Sequence, residues 1–184
     1  MRIEIIDLVP FIIGMPQGLK QSSSTVSIGF AVKEDAANTF TQGSVDLNLS
    51  PLDREVFVVT AINLDPLAPD AIKGDDTQVN CSLTTTSQTE VATLANSNCL
   101  ATANLDIRAS GFTDAGVGFT RLGMEAPPAT LDYLGIIATN DFFVQIKGFQ
   151  NTSVKQVFGK MYGYRAVASA DIYAALVQSE VLSA

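Results

Sequence analysis

Large apolar side chains alternate with small or polar ones over most of this chain, while helical spacing is confined to its C-terminal end. Val26, Ile28, Phe30 and Val32 interleave with Ser27, Gly29 and Ala31, a period-two pattern that predicts a strand over Ser24 to Lys33. Gly43 to Ser50 repeats the pattern, with Val45, Leu47 and Leu49 on one face and Asp46, Asn48 and Ser50 on the other. Glu55 to Leu64 holds the unbroken run Val56-Phe57-Val58-Val59, which predicts a central strand covered on both sides. Thr77 to Thr86 and Glu90 to Ser110 are rich in Thr, Ser and Asn, and predict weakly apolar strands at a sheet edge or in an outward-facing hairpin. Shorter strands are expected at Gly116 to Leu122 and Leu131 to Ala138, on either side of Glu125-Ala126-Pro127-Pro128. Asp141 to Phe149 and Val154 to Val167 predict a hairpin about Gln150-Asn151-Thr152.

Turn residues punctuate these runs. Gly14-Met15-Pro16-Gln17-Gly18 closes an extended N-terminal segment, Arg2 to Ile13, that is broken at Pro10. The longest loop signal runs from Asp65 to Asp76, because Pro66 and Pro69 cannot donate to a ladder and aspartates favour turns. About nine short strands at such spacing predict an antiparallel β-sandwich or barrel. Ala170 to Leu182 alone has helical spacing: Ile172, Tyr173, Leu176, Val177 and Leu182 fall near one stripe, behind Ser169 as N-cap. Asp171 suits the positive end of the helix dipole. Such a helix packs on its own sandwich or docks on a neighbour, and both options stay open.

Composition narrows the class. A chain of 184 residues that is 47% hydrophobic can bury one sizeable core, so one domain is expected over 1-184. Residues 1-21 would form an N-terminal arm, 22-168 the sandwich and 169-184 a C-terminal helix or arm. Only 16% of residues are charged and mean hydropathy is +0.25, which points to surface covered by something other than water, most simply other subunits. No apolar run approaches the roughly 20 residues of a membrane-crossing helix, so no transmembrane segment is expected. Glu4 and Asp7 interrupt the N-terminus where a secretory signal would be basic and then apolar, so no signal peptide is expected. The net charge of -8 repels phosphate backbones, and Lys147, Lys155, Lys160 and Arg165 are too spread out to form a nucleic-acid patch.

The chemistry is largely one of exclusions. Histidine is absent, which removes Ser-His-Asp and Cys-His catalysis, imidazole zinc sites and the usual general base near neutrality. No phosphate-binding glycine loop occurs, and no CxxC supports a structural zinc site. The acids are many, yet no spacing selects a catalytic pair, and Asp53-Arg54-Glu55 reads as a turn with a local ion pair. No enzyme activity and no cofactor are therefore expected. Asp65, Asp70, Asp75 and Asp76 are calcium candidates, although they lack the spacing of an EF-hand, and a solvated turn is the alternative. Cys81 and Cys99 would oppose one another if a turn were centred near Glu90, allowing a cross-strand disulfide; two reduced, buried thiols are the alternative.

In strand number and spacing, from Ser24 to Val167, the chain resembles the single jelly-roll capsid proteins of tailless icosahedral viruses, in which eight strands form two facing sheets. An immunoglobulin-like sandwich gives nearly the same pattern. The resemblance implies a structural virion protein: a coat subunit that assembles with copies of itself, and with other coat proteins where these exist, in the host cytoplasm. It also implies an assembly arm made of Ile3, Ile5, Ile6, Leu8, Val9, Phe11, Ile12 and Ile13, since an apolar terminus needs an anchor. The alternatives are a phage head decoration protein and an extracellular β-sandwich adhesion or binding module.

Overall fold

The computed structural model describes residues 16–111, 119–124 and 131–182, the stretch 119–124 by its backbone alone. In chain order these form β1 (Leu19–Gln21), β2 (Val26–Lys33), β3 (Thr41–Asp46), a 3-10 turn (Pro51–Asp53), β4 (Glu55–Pro66), β5 (Thr77–Thr84) and β6 (Cys99–Arg108). They continue with β7 (Phe119–Met124), β8 (Gly135–Ile137), β9 (Asp141–Phe149), β10 (Gln156–Ala168) and one helix, α1 (Ala170–Leu182).

Two antiparallel sheets face each other. Sheet A runs β2-β10-β4-β8, with β1 following β2 along the same edge of β10; sheet B runs β3-β9-β5-β6-β7. The chain changes sheet at β2 to β3, β3 to β4, β4 to β5, β7 to β8, β8 to β9 and β9 to β10. With β1 and β7 set aside, the eight remaining strands are those of a jelly roll. The fold is thus the expected antiparallel sandwich with a C-terminal helix.

Side-chain alternation builds the core. Ile28, Phe30 and Val32 of β2 and Phe57, Val59, Ile62 and Leu64 of β4 meet Val79, Cys81 and Leu83 of β5 and Phe142, Val144 and Ile146 of β9. Phe30 and Phe142 touch edge to face at 5.6 Å between ring centroids, a contact that ties β2 to the opposite sheet. The run Val56 to Val59 is buried on both faces as expected: Phe57 and Val59 point into the sandwich, while Val56 and Val58 lie beneath α1. The helix seats Ile172, Tyr173, Leu176 and Val177 on Leu19, Tyr164, Ala166 and Ala168, so it covers one half of the outer face of its own sheet A. Leu182 falls off this stripe and is exposed.

Several expectations are corrected. β9 and β10 are not a hairpin: β9 pairs with β3 and β5, β10 with β2, β1 and β4, because Gln150 to Lys155 carry the chain from one sheet to the other. β5 is not an edge strand but lies between β9 and β6. Its outward Ser82 and Thr84 are buried because residues 85–98, expected to be partly strand, fold back over them. Gln145 satisfies both, accepting from the Ser82 hydroxyl at 2.8 Å and donating to Thr84 Oγ1 at 2.7 Å. β3 stops at Asp46, where its carboxylate accepts from Asn48 N and Asn48 takes a left-handed φ of 50°; Leu47 and Leu49 are buried beyond the strand. Leu19–Gln21, assigned to the arm, are paired with Ala166–Ala168. Residues 1–15, with the whole apolar arm Ile3 to Ile13, lie outside the described residues.

Candidate functional site

Three of the crossings between sheets bring described loops to one end of the sandwich, and there two acids of the long loop, Asp70 and Asp76, accept hydrogen bonds from the protein itself. Asp70 accepts hydrogen bonds from Thr152 N, Thr152 Oγ1, Ser153 N and Ser153 Oγ, and its Oδ1 takes the Lys155 ammonium. That ammonium, foremost, holds the Asp70 carboxyl well below the usual carboxylate range; burial opposes it, and the Ser153 and Thr152 donors add to the lowering. Asp76 accepts from Ala109 N and Ser110 N at 2.9 Å each and pairs with Arg108. These backbone donors, Ser110 first, lower its pKa. Asp65 sits exposed on the outer face of β4, and Asp75 is exposed in a turn. Asp70 and Asp76 therefore take separate protein partners, Asp65 and Asp75 are exposed, and no cluster of three or more His, Cys, Asp or Glu side chains that could hold a metal ion occurs among the described residues.

Behind Asp70 lies a cluster that the sequence did not reveal. Glu34, at the end of β2, is 2% exposed; its Oε1 accepts from Gly148 N at 2.6 Å and its Oε2 from Lys155 N at 2.8 Å. Asn151 is likewise buried: its amide donates to Gln78 O and its Oδ1 accepts from Asp70 N. Asn38 closes the circuit, donating to Asn151 O and accepting from Asn151 N, both at 2.8 Å. Left-handed backbone at Asn38 (φ 63°) and Gln150 (φ 54°) turns the chain tightly enough for these contacts. The loops 34–40, 67–76 and 150–155 are thus cross-braced into one rigid end. On this end Leu67, Phe149 and Val154 are exposed. The tripeptides Asn80-Cys81-Ser82 and Asn151-Thr152-Ser153 fit the glycosylation acceptor pattern, but Ser82 and Asn151 are buried, which places both poorly for that modification.

The scattered basic residues diverge: Lys147 and Lys160 are exposed. Lys155 is buried, and Arg165 reaches from β10 to the start of β4 and the loop after β3, donating to Glu55 Oε2, Asn48 O and Leu47 O. Glu55 thus pairs with Arg165 and not with the adjacent Arg54, which takes a left-handed φ of 55°.

Cys81 and Cys99 are not linked. Cys81 opposes Ala103 and Cys99 opposes Thr84, so the two lie about four residues apart along adjacent strands, roughly 13 Å at 3.3–3.4 Å per residue. A disulfide requires Cα atoms within about 7 Å. Cys81 faces the core, where burial pushes its thiol up to about 12.

At the side of the sandwich, β8 is short and leaves the two sheets parted. A cleft of about 470 Å³ opens there between β4 and β6, lined by Ile62, Leu64, Leu100 and Leu134 together with the polar Asn63 and Thr102. At the far end of β8, Glu180 of α1 is buried and accepts from Ala138 N at 3.1 Å and Thr139 N at 3.0 Å, latching the helix to sheet A. Burial raises its pKa, partly offset by these donors.

Strand order and layering thus define a jelly-roll β-sandwich with cross-braced loops at one end, a cleft of mixed polarity at one side and a helix over one outer face. No protein-family model matches the chain, and no curated protein matches it in sequence. Among solved structures it is similar to a chain of Desmodium yellow mottle tymovirus, with 14% identity over 85% of this chain and 95% of that one, at a TM-score of 0.32. So low a score carries no weight, and the fold assignment stands on the strand pairing alone. No described helix is long and apolar enough to cross a membrane.

Proposed function

We propose that this chain is a structural virion protein, a coat subunit that assembles with copies of itself into a shell. The observation that carries the reading is the jelly-roll strand order, β2-β10-β4-β8 facing β3-β9-β5-β6, which is the architecture of single jelly-roll capsid subunits; the step from fold to role is one of analogy. Three features of the chain agree with it. The loop end is locked by buried charge, as a surface that must present one shape to its neighbours requires, and it exposes Leu67, Phe149 and Val154. Charged residues are scarce, at 16% of the chain. The segment Ile3 to Ile13 supplies an apolar arm for subunit contacts. In this reading residues 1–18 are the arm, the rest is one domain, and the protein resides in the virion.

Light scattering on the eluting protein, with negative-stain imaging across ionic strengths, tests the proposal. Closed shells or pentamer-hexamer arrays are expected. A strict monomer at high concentration under all these conditions would overturn it.

A further inference from the structure

We infer that the half of sheet A's outer face left bare by α1 is an interface between copies of this chain: two such faces pack across a two-fold axis, with Lys160 of each copy against Asp65 of the other. The inference rests on the coat-subunit reading for its partner, a second copy, and on local chemistry for its seat.

β10 carries large apolar side chains on both faces, the pattern of a strand covered twice. Val157 and Met161 point into the core, so the alternate residues Phe158, Lys160, Tyr162, Tyr164, Ala166 and Ala168 point outward. The helix covers only the last three of these. Phe158 stays 42% exposed, and the outward residues beside it are small or polar: Ala31 and Gly29 on β2, Asp65 and Asn63 on β4. The space above Gly29 is open, since a Cβ there would meet nothing within 4 Å. Towards the loop end the exposed Leu67, whose N–H donates to Gln156 O, extends the apolar surface. A ring standing among small residues on a flat face is closed by another flat face.

The charges on this face select the partner. Lys160 and Asp65 are exposed diagonal neighbours of opposite sign, and neither belongs to an ion pair among the described residues. Such a face is complementary to itself, because in a two-fold contact residue i meets j and j meets i. A ring and a lysine on a sheet would also serve a single-stranded nucleic acid, but the carboxylate beside the ring and the net charge of -8 oppose it.

The helices select the alignment. On spacings of about 4.8 Å between strands and 6.7 Å between alternate residues, setting Lys160 over the partner's Asp65 makes the two sets of strands cross at roughly 70°, close to an orthogonal packing. Phe158 then falls against the partner's Phe158 and Gly29, and each helix lies beyond the edge of the other sheet. Setting the strands along the axis would drive the two helices together. The bare face measures about 14 Å by 20 Å, roughly 300 Å² in projection, against about 800 Å² per partner in a standard interface. The pair is therefore weak by itself, and its population depends on concentration.

Sedimentation of the full chain over a concentration series, with negative-stain imaging of the same samples, tests this. Asp65→Lys and Lys160→Glu each set like charges together twice per pair and should weaken association about tenfold or more. An equimolar mixture of the two variants, and the double variant, should regain it. Gly29→Arg should abolish association and leave the circular dichroism melt unchanged, because its side chain enters open space. If the mixture and the double variant stay as weak as the single ones, the two-fold pairing is wrong. If Gly29→Arg lowers the melt and leaves association intact, the chain covers this face itself and the inference fails. If every variant forms particles as the parent does, the seat is wrong and the coat reading stands. Pairs that respond as expected but never build particles support the inference and overturn the coat reading. A monomer throughout overturns both.

Discussion

Removing Asp70 should cost far more than removing the lysine it pairs with, although each change deletes the same salt bridge. The asymmetry follows from where the two charges sit: the Lys155 side chain is 6% exposed and that of Asp70 24%. Asp70→Ala leaves the Lys155 ammonium buried with only Ser153 Oγ, at 3.2 Å, as a hydrogen-bond acceptor. Breaking a buried pair in this way costs about 3–5 kcal/mol, and the partial exposure of Asp70 points to the low end, about 3 kcal/mol. Lys155→Met removes the charge and keeps the aliphatic stem, while Asp70 retains Thr152 and Ser153 as donors and some water; the cost should be about 1 kcal/mol. The double variant should recover most of the Asp70→Ala loss, because no orphaned ammonium remains. For a chain of this size 1 kcal/mol moves Tm by about 2–4 °C. Asp70→Ala should therefore lower Tm by roughly 6–12 °C, Lys155→Met by a few degrees, and the double variant by clearly less than the sum. Guanidinium or thermal unfolding of the three variants measures it. Equal single losses, or an additive double, would refute the view that buried charge braces this end of the sandwich.

Further consequences follow from the same structure. Because Asp70's folded pKa lies below its unfolded value of about 3.9, its stabilisation is present above that value and should fade as pH falls through the folded one; Asp70→Asn should flatten the acid limb of a stability-pH curve. Glu180 has the opposite sign: its folded pKa is raised, so its favourable term is complete below about pH 4.3 and is lost as pH rises through the folded value. Glu180→Gln should weaken that decline, read as the unfolding midpoint between pH 4 and pH 8. A Cβ at Gly163, opposite the bulge that β4 makes at Thr60, would collide with Val58 O and the Phe57 ring, so Gly163→Ala should cost about 2–3 kcal/mol in denaturant unfolding. Cys81, buried in the core, should resist thiol reagents in the folded protein, and oxidation should form no Cys81–Cys99 bridge by mass spectrometry; rapid native labelling of Cys81 would contradict its placement.

Much of the sandwich could be read from alternation alone. Period-two spacing located β2, the apolar run located β4 as a doubly covered strand, and the helical stripe of Ile172, Tyr173, Leu176 and Val177 located α1. Alternation is local, a property of neighbouring residues, so one strand suffices to display it. Partnership is not local. The turn at Gln150-Asn151-Thr152 looked like a hairpin because turn chemistry is the same whether the next strand stays in the sheet or crosses to the other. Likewise the polar strand β5 looked peripheral because its concealment depends on residues 85–98 and on Gln145, more than sixty positions away from Ser82.

The loop cluster escaped the sequence for the same reason. Glu34, Asn38, Asp70, Asn151 and Lys155 come from three loops, and each by itself reads as an ordinary solvated or turn residue. By itself, then, the sequence determined that the chain pairs strands, which faces those strands bury, and that histidine-dependent chemistry is unavailable to it. Only the tertiary structure decided which strands are neighbours, which acids are neutralised, and where the sandwich stays open. Those outcomes depend on pairings between residues distant in the chain, and no local period records them.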